Sequence, residues 1–256
     1  MGNLFIYNEF GITPTKNYTA AGYDFFIPKI VETEDNIWDI LNAFCTSYKL
    51  SEDEIRRVYN RLSSHVVMTY DTENDVPSKF NNDTSLNILH LYLASNKYKN
   101  YTDNSIEKFV ENKLIFDRNG VPGIKAEMGD YFLFNSGIRV KLEPDTAGIF
   151  FNKSGKGNQG FDIRACVVDE DYSGLVHMSA AYDKDRSCEI FCGDKFVQFV
   201  VLPIVKTTLE SVGKDEFFKM HENSQRGADG SIFAPCNTWH YMSVEQQEPQ
   251  HSLYLP

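Results

Sequence analysis

The hydrophobic pattern changes period twice along the chain, and this limits the fold more than any other feature. Over residues 1 to 29 and 118 to 256 the apolar residues come in short runs. These are Phe25 to Ile27, Tyr131 to Phe134, Ile138 to Leu142, Gly148 to Phe151, Ala165 to Val168, Leu175 to Met178 and Phe196 to Leu202, with Gly, Pro, Asn and Asp between them. Such short, regularly punctuated strands predict a barrel or sandwich. Between residues 31 and 117 the spacing becomes helical. Ile37, Trp38, Leu41, Phe44, Cys45 and Tyr48 mark one face, and Ile55, Val58, Tyr59 and Leu62 a second. Leu86, Leu89, His90 and Leu93 mark a third, and Ile106, Phe109, Val110 and Leu114 a fourth. Ser51 with Glu54 three residues on predicts a capping box before the second helix. Gly120 to Gly123 is where the chain is expected to return to strands.

Composition excludes several classes. A chain of 256 residues with 42% hydrophobic and 14% aromatic content can bury a large core and does not read as disordered. No apolar run reaches the roughly 18 to 20 residues that a membrane span needs. MGNLFIYNEF lacks the basic start and apolar stretch of a secretory signal, so a cytoplasmic protein is expected, in a host cytoplasm if phage-encoded. The net charge of −11 opposes direct binding of nucleic acid, but leaves room for a small anion where Lys and Arg converge. Cys45, Cys166, Cys188, Cys192 and Cys236 are odd in number and lack paired zinc spacing, which predicts buried free thiols.

Five segments carry residues suited to chemistry. Ala20-Ala21-Gly22-Tyr23-Asp24-Phe25-Phe26 sets an acid at the mouth of a strand. Asn152-Lys153-Ser154-Gly155-Lys156-Gly157 combines cations, a hydroxyl and glycines that let amides approach phosphate oxygens. It is not a Walker loop, because Gly157 stands where Ser or Thr should follow the lysine. Val168-Asp169-Glu170-Asp171-Tyr172-Ser173-Gly174 holds three acids after an apolar strand, and an inward Asp169 could take a proton from water. Gly193-Asp194-Lys195-Phe196-Val197-Gln198-Phe199 places an amide within an apolar strand, where it needs partners. The last is Arg226-Gly227-Ala228-Asp229-Gly230. His177, a lone histidine on an apolar strand, reads as structural.

In this order the segments resemble the motifs of the trimeric dUTPase family, over residues 19 to 29 and about 128 to 233. The resemblance implies a mainly β fold, a dUTPase-like β-barrel or jelly roll, formed by residues 1–30 and 118–256. On residues 31–117 the resemblance is silent; their helical spacing reads as an inserted α-helical module and hints at a phage-like member. The resemblance implies hydrolysis of dUTP to dUMP and pyrophosphate, which limits uracil in DNA and supplies a dTMP precursor. Mg²⁺ would be the cofactor and a homotrimer the assembly, with each site built from three subunits. Asp169 would orient and activate the attacking water, and Tyr172 would lie under the deoxyribose. The strand pair from Phe161 to Tyr172 would read uracil. Lys153, Ser154, Gly155, Lys156 and Gln198 would hold the phosphates, and Asp24 would lie near metal and phosphates, acting indirectly. Arg226 would touch phosphate and Phe233 would stack on the base.

Two departures stand out. Lys153 replaces the family's arginine and so loses its bidentate fork. In the fifth segment Asp229 replaces a glycine, and Phe233 arrives two residues late. The alternatives are a catalytically weak nucleotide-binding or regulatory protein acting on a partner through the helical insert, or a related enzyme processing dCTP or dUTP. Deamination is disfavoured because His177 to Tyr182 carries no carboxylate.

Overall fold

The computed structural model describes residues 3–31, 33, 35–70, 82–95 and 103–220. Eleven strands and six helices are seen among them. The strands are β1 (Phe5–Asn8), β2 (Tyr23–Phe26), β3 (Leu114–Phe116), β4 (Pro122–Ala126), β5 (Tyr131–Lys141), β6 (Thr146–Asn152), β7 (Phe161–Ala165), β8 (Val167–Val168), β9 (Leu175–Tyr182), β10 (Cys188–Phe191) and β11 (Lys195–Pro203). They form three antiparallel sheets, ordered β1-β5-β9-β7, β10-β4-β3 and β2-β11-β6-β8. The mainly β fold, carrying an inserted helical module, is therefore present.

The aromatic content goes into the junction between the two larger sheets. Phe196 of β11 meets Phe134 of β5 edge-on at 5.2 Å and Phe161 of β7 at 5.4 Å. Phe25, Phe150 and Phe199 make a second cluster, with centroids 4.8 to 5.4 Å apart. Each such pair adds about 0.5 to 1.5 kcal/mol beyond its buried area.

The helices are α1 (Ile37–Tyr48), α2 (Glu52–Tyr70), α3 (Asn82–Ser95) and α4 (Asp103–Asn112) in the insert, followed by α5 (Ser154–Gln159) and α6 (Lys214–Met220). At the end of α1, Lys49 takes a left-handed conformation and Leu50 N–H donates to the Cys45 carbonyl. The predicted capping box then starts α2. Ser51 N–H donates to Glu54 Oε2 at 2.8 Å, and Glu54 N–H donates to Ser51 Oγ at 3.3 Å. The third helical face differs from its reading as a stripe: Leu86, Ile88, Leu89, Leu91, Tyr92 and Leu93 are all buried. A helix buried all round is a core helix, and α3 packs between α2 on one side and β5 and β4 on the other. Leu114, read as helical, begins β3 instead, so the chain returns to strands before Gly120.

The insert is bonded to the strands as well as packed on them. Asn87 of α3, almost fully buried, accepts from Ile30 N–H at 2.9 Å and donates to the Ile30 carbonyl at 2.8 Å. Tyr48 Oη donates to the Leu133 carbonyl at 3.2 Å, and Asn135 Nδ2 donates to Ser47 Oγ at 2.8 Å. The buried helical and strand residues form one hydrophobic cluster. Met1–Lys206 makes one compact unit and Thr207–Pro256 another. Within the second unit, α6 is the described element.

Asn87→Ala would strip both backbone groups of Ile30 of their buried partner, at about 1 to 3 kcal/mol each. Urea unfolding of Asn87→Ala should therefore show a loss of roughly 2 to 6 kcal/mol with an unchanged slope.

Candidate active site

Three of the five segments meet at one end of the β2-β11-β6-β8 sheet. Gln198 of β11 lies opposite Asp24 of β2 on one side and Phe151 of β6 on the other. Lys153 is the first residue after β6 and caps α5, with Ser154 and Gly155 exposed beside it. Ser154–Gln159 of this segment form a six-residue helix. Gln198 is half-buried rather than enclosed, open to a ligand on one side. Gly22 explains how β2 comes this close. A Cβ there would stand 2.5 Å from the Phe199 carbonyl oxygen and 2.9 Å from Gln198 Cγ, so only glycine fits.

The cations at this end are already paired. Asp24 accepts from Lys153 through Oδ1, and Lys195 Nζ lies 2.9 Å from its Oδ2. Lys156 donates to Asp194 Oδ2 at 2.9 Å. Burial pushes the Asp24 carboxyl up, but the hydrogen bonds and charges of Lys153 and Lys195 outweigh it, leaving it below its ordinary 3.8. An arriving triphosphate therefore competes with two carboxylates for these lysines. The sequence reading missed Lys195 because period-two counting puts it and Gln198 on opposite faces. The register shift between Lys195 and Val197 moves that count by one.

The third segment forms a separate pocket of about 180 Å³, lined by Phe150, Val168, Asp169, Tyr172, Val176 and His177 among others. The Asp169 side chain is exposed there, and its carboxylate has no hydrogen-bond or ion-pair partner among the described residues. Its neighbour Glu170 is occupied elsewhere. It accepts from Lys206 Nζ at 2.8 Å and from Asp145 N–H at 2.6 Å. Two adjacent acids are thus divided, one open to water and one tied down. Tyr172 Oη donates to the Leu175 carbonyl at 2.7 Å, which folds the ring over Gly174. A Cβ on Gly174 would meet Tyr172 Oη at 2.6 Å. The expected strand pair from Phe161 to Tyr172 does not form. β7 pairs with β9 and β8 with β6, because the chain crosses between sheets at Cys166.

One chain does not bring its two clusters together. Val168 pairs with Gly148 in an antiparallel ladder, which carries Asp169 toward Ala147 and away from Lys153. At about 3.3 Å per residue, the six residues from Ala147 to Lys153 hold the clusters roughly 20 Å apart. Arg226 and Phe233 lie outside the described residues, as does Cys236. Of the other four thiols, all free, only Cys192 is buried and Cys45, Cys166 and Cys188 are half-buried.

No group of three or more His, Cys, Asp or Glu suited to a metal ion occurs among the described residues. Asp24 offers one carboxylate beside lysines and Gln198. Such a donor set fits Mg²⁺ carried in on phosphate oxygens, since this ion keeps several waters and needs few protein ligands.

Residues 121–231 match the dUTPase family. A deoxyuridine 5'-triphosphate nucleotidohydrolase of Xanthomonas campestris pv. campestris is 32% identical over 108 residues, which are 41% of this chain and 67% of the relative. The chain belongs to the dUTPase family. A Pol polyprotein of Ovine maedi visna related virus is 23% identical over 117 residues, 46% of this chain but only 10% of that polyprotein. Among solved structures, a dUTPase from phage phi11 of S. aureus aligns over 83% of this chain and 97% of its own at 12% identity, with a TM-score of 0.43. The match to residues 121–231 covers four of the dUTPase segments and leaves out the first, with Asp24.

A carboxyl group depressed by its folded surroundings adds stability that is present above the ordinary value and lost as pH falls through the lower folded one. Urea unfolding of the parent and of Asp24→Asn should differ by a constant amount near neutral pH. The two should converge below about pH 4.

Proposed function

We propose that the chain hydrolyses dUTP to dUMP and pyrophosphate, and that the open Asp169 carboxylate in the Tyr172 pocket is the observation that carries this reading. Water attacks the α-phosphorus, and Asp169 orients it and takes its proton. The bond from the α-phosphorus to the bridging oxygen breaks, and pyrophosphate leaves with that oxygen. Lys153, Lys156, Gln198 and the amides around Ser154 and Gly155 hold the phosphates, and Lys153 gives up its pair with Asp24 to do so. When bound, Mg²⁺ supplies charge compensation to the triphosphate, with Asp24 beside it. Tyr172 lies against the deoxyribose, and the resemblance gives Arg226 a role on phosphate and Phe233 one on the base. The product limits uracil in DNA and feeds dTMP synthesis.

The distance between the two clusters supports a homotrimer in which Asp169 of one copy works with Lys153 and Gln198 of another. Residues 1–30 and 118–256 make the catalytic body in this proposal, and residues 31–117 are an insertion whose apolar faces finish one side of its core. A protein partner for that insertion is the second reading, favoured by the altered fifth segment. No described helix is long and apolar enough to cross a membrane, and we place the enzyme in a cytoplasm.

General-base help is typically worth about 10² to 10⁴ in rate, so Asp169→Asn should lower kcat for dUTP by roughly two orders of magnitude with little change in nucleotide affinity. Glu170→Gln should stay near the parent rate, because its carboxylate is held by Lys206 and Asp145. Parent activity in Asp169→Asn would overturn the assignment. Light scattering should give the mass of three 29.3 kDa chains, and a monomer would contradict the shared site.

A further inference from the structure

The Tyr172 pocket has a second wall that the motif reading does not use. His177 lines it too, and Nδ1 of this histidine lies 2.9 Å from the same Leu175 carbonyl that receives Tyr172 Oη. A carbonyl only accepts, so Nδ1 carries the proton and the imidazole and the phenol share one acceptor. Behind His177 stands Tyr48, the last residue of α1. Its ring meets the imidazole edge-on at 6.4 Å and is itself held by the Leu133 carbonyl. Tyr172 and His177 also border a groove of about 640 Å³ whose far side is α1, through Ile40, Ala43 and Ser47. These two side chains are thus the partition between the pocket holding Asp169 and the inserted helix.

The Tyr172 ring has little else to fix it. It is 39% exposed, and the residue beneath it is Gly174, which offers no side chain. Its orientation therefore depends on the Leu175 carbonyl, which stands at the start of β9, where Leu175 pairs with Arg139, and which His177 shares. His177 is mostly enclosed, and burial lowers its basicity. The ring stays neutral, keeping one donor for Leu175.

We propose that His177, braced by Tyr48 of the inserted helix, is a positioning residue that fixes the Tyr172 ring and so sets the preference for a 2′-deoxyribose over a ribose. This rests on the placing of Tyr172 against the sugar. It gives residues 31–117 a part in substrate choice. A ring held in one place leaves no room for a 2′-hydroxyl, whereas a ring free to swing admits it.

The test is the ratio of kcat/KM for dUTP to that for UTP, both taken with Mg²⁺ on one preparation, so that the fraction of active protein cancels. His177→Ala and Tyr48→Leu should lower the ratio by about tenfold or more, through a gain with UTP, since a shift of about 1 Å can change rates by up to 10²-fold. Tyr48→Phe keeps the ring edge and should hold the parent ratio. His177→Asn keeps a donor for Leu175 and should fall between. Tyr172→Ala should lose the ratio at least as fully. If Tyr172→Ala loses it while His177→Ala and Tyr48→Leu keep it, the proposal is overturned and the sugar reading survives. If Tyr172→Ala keeps it, or the parent cleaves neither nucleotide, the reading beneath the proposal fails and takes the proposal with it.

Discussion

The antiparallel ladder of β6 is the constraint on which the site depends. One edge of this strand pairs with β11, which brings Gln198 and Lys195 to Asp24 and sets Lys153 at the strand's end. The other edge pairs with β8, which delivers Asp169 at the opposite end. A strand is stiff over this length, so a single chain holds its acid and its cations about 20 Å apart. Nothing in the fold shortens that separation. In the proposed reaction, the strand that orders each half of the site leaves a second copy to bring the halves together.

Electrostatics within the cation cluster follow from the acidic chain. With a net charge of −11, exposed lysines would attract loosely placed carboxylates. Here Lys153 and Lys195 share Asp24, and Lys156 takes Asp194. Asp24 and Asp194 thereby offset the mutual repulsion of the three ammonium groups. In the proposed exchange, Lys195 would still neutralise Asp24 when Lys153 turns to phosphate. Asp169 lies beyond this network and has no side-chain partner among the described residues, which suits the proposed role of a base that meets water.

Much of this was legible in the sequence. The change from period two to helical spacing located the insert, and Ser51 with Glu54 located the start of α2. The ordered segments named Asp24, Lys153 and Gln198, which lie together at one sheet end, and Asp169 and Tyr172, which line one pocket. Other features were hidden for physical reasons. β1 is an edge strand exposed throughout, so it shows no alternation, and β3 and β10 span only three and four residues. α3 hid its central role because a helix buried on every side has no polar stripe to contrast with. His177 read as structural because a lone histidine says nothing of what its ring touches; Tyr48, 129 residues earlier, supplies the answer only in three dimensions. Lys195 was concealed by a bulge that no composition rule announces.

Mixed assemblies test the central claim most directly. Asp169→Asn and Lys153→Met each remove one half of the proposed chemistry and should be nearly inactive alone. Co-expressed in equal amounts and purified as mixed trimers, they should regain dUTP hydrolysis. In a cyclic trimer of either mixed composition, about a third of the sites, one of the three, combines an intact Asp169 from one chain with an intact Lys153 from its neighbour. Recovery near that fraction is what the β6 geometry predicts. If the mixed trimers stay as inactive as their parents, Asp169 and Lys153 serve a site within one chain, and the account built on their separation is wrong.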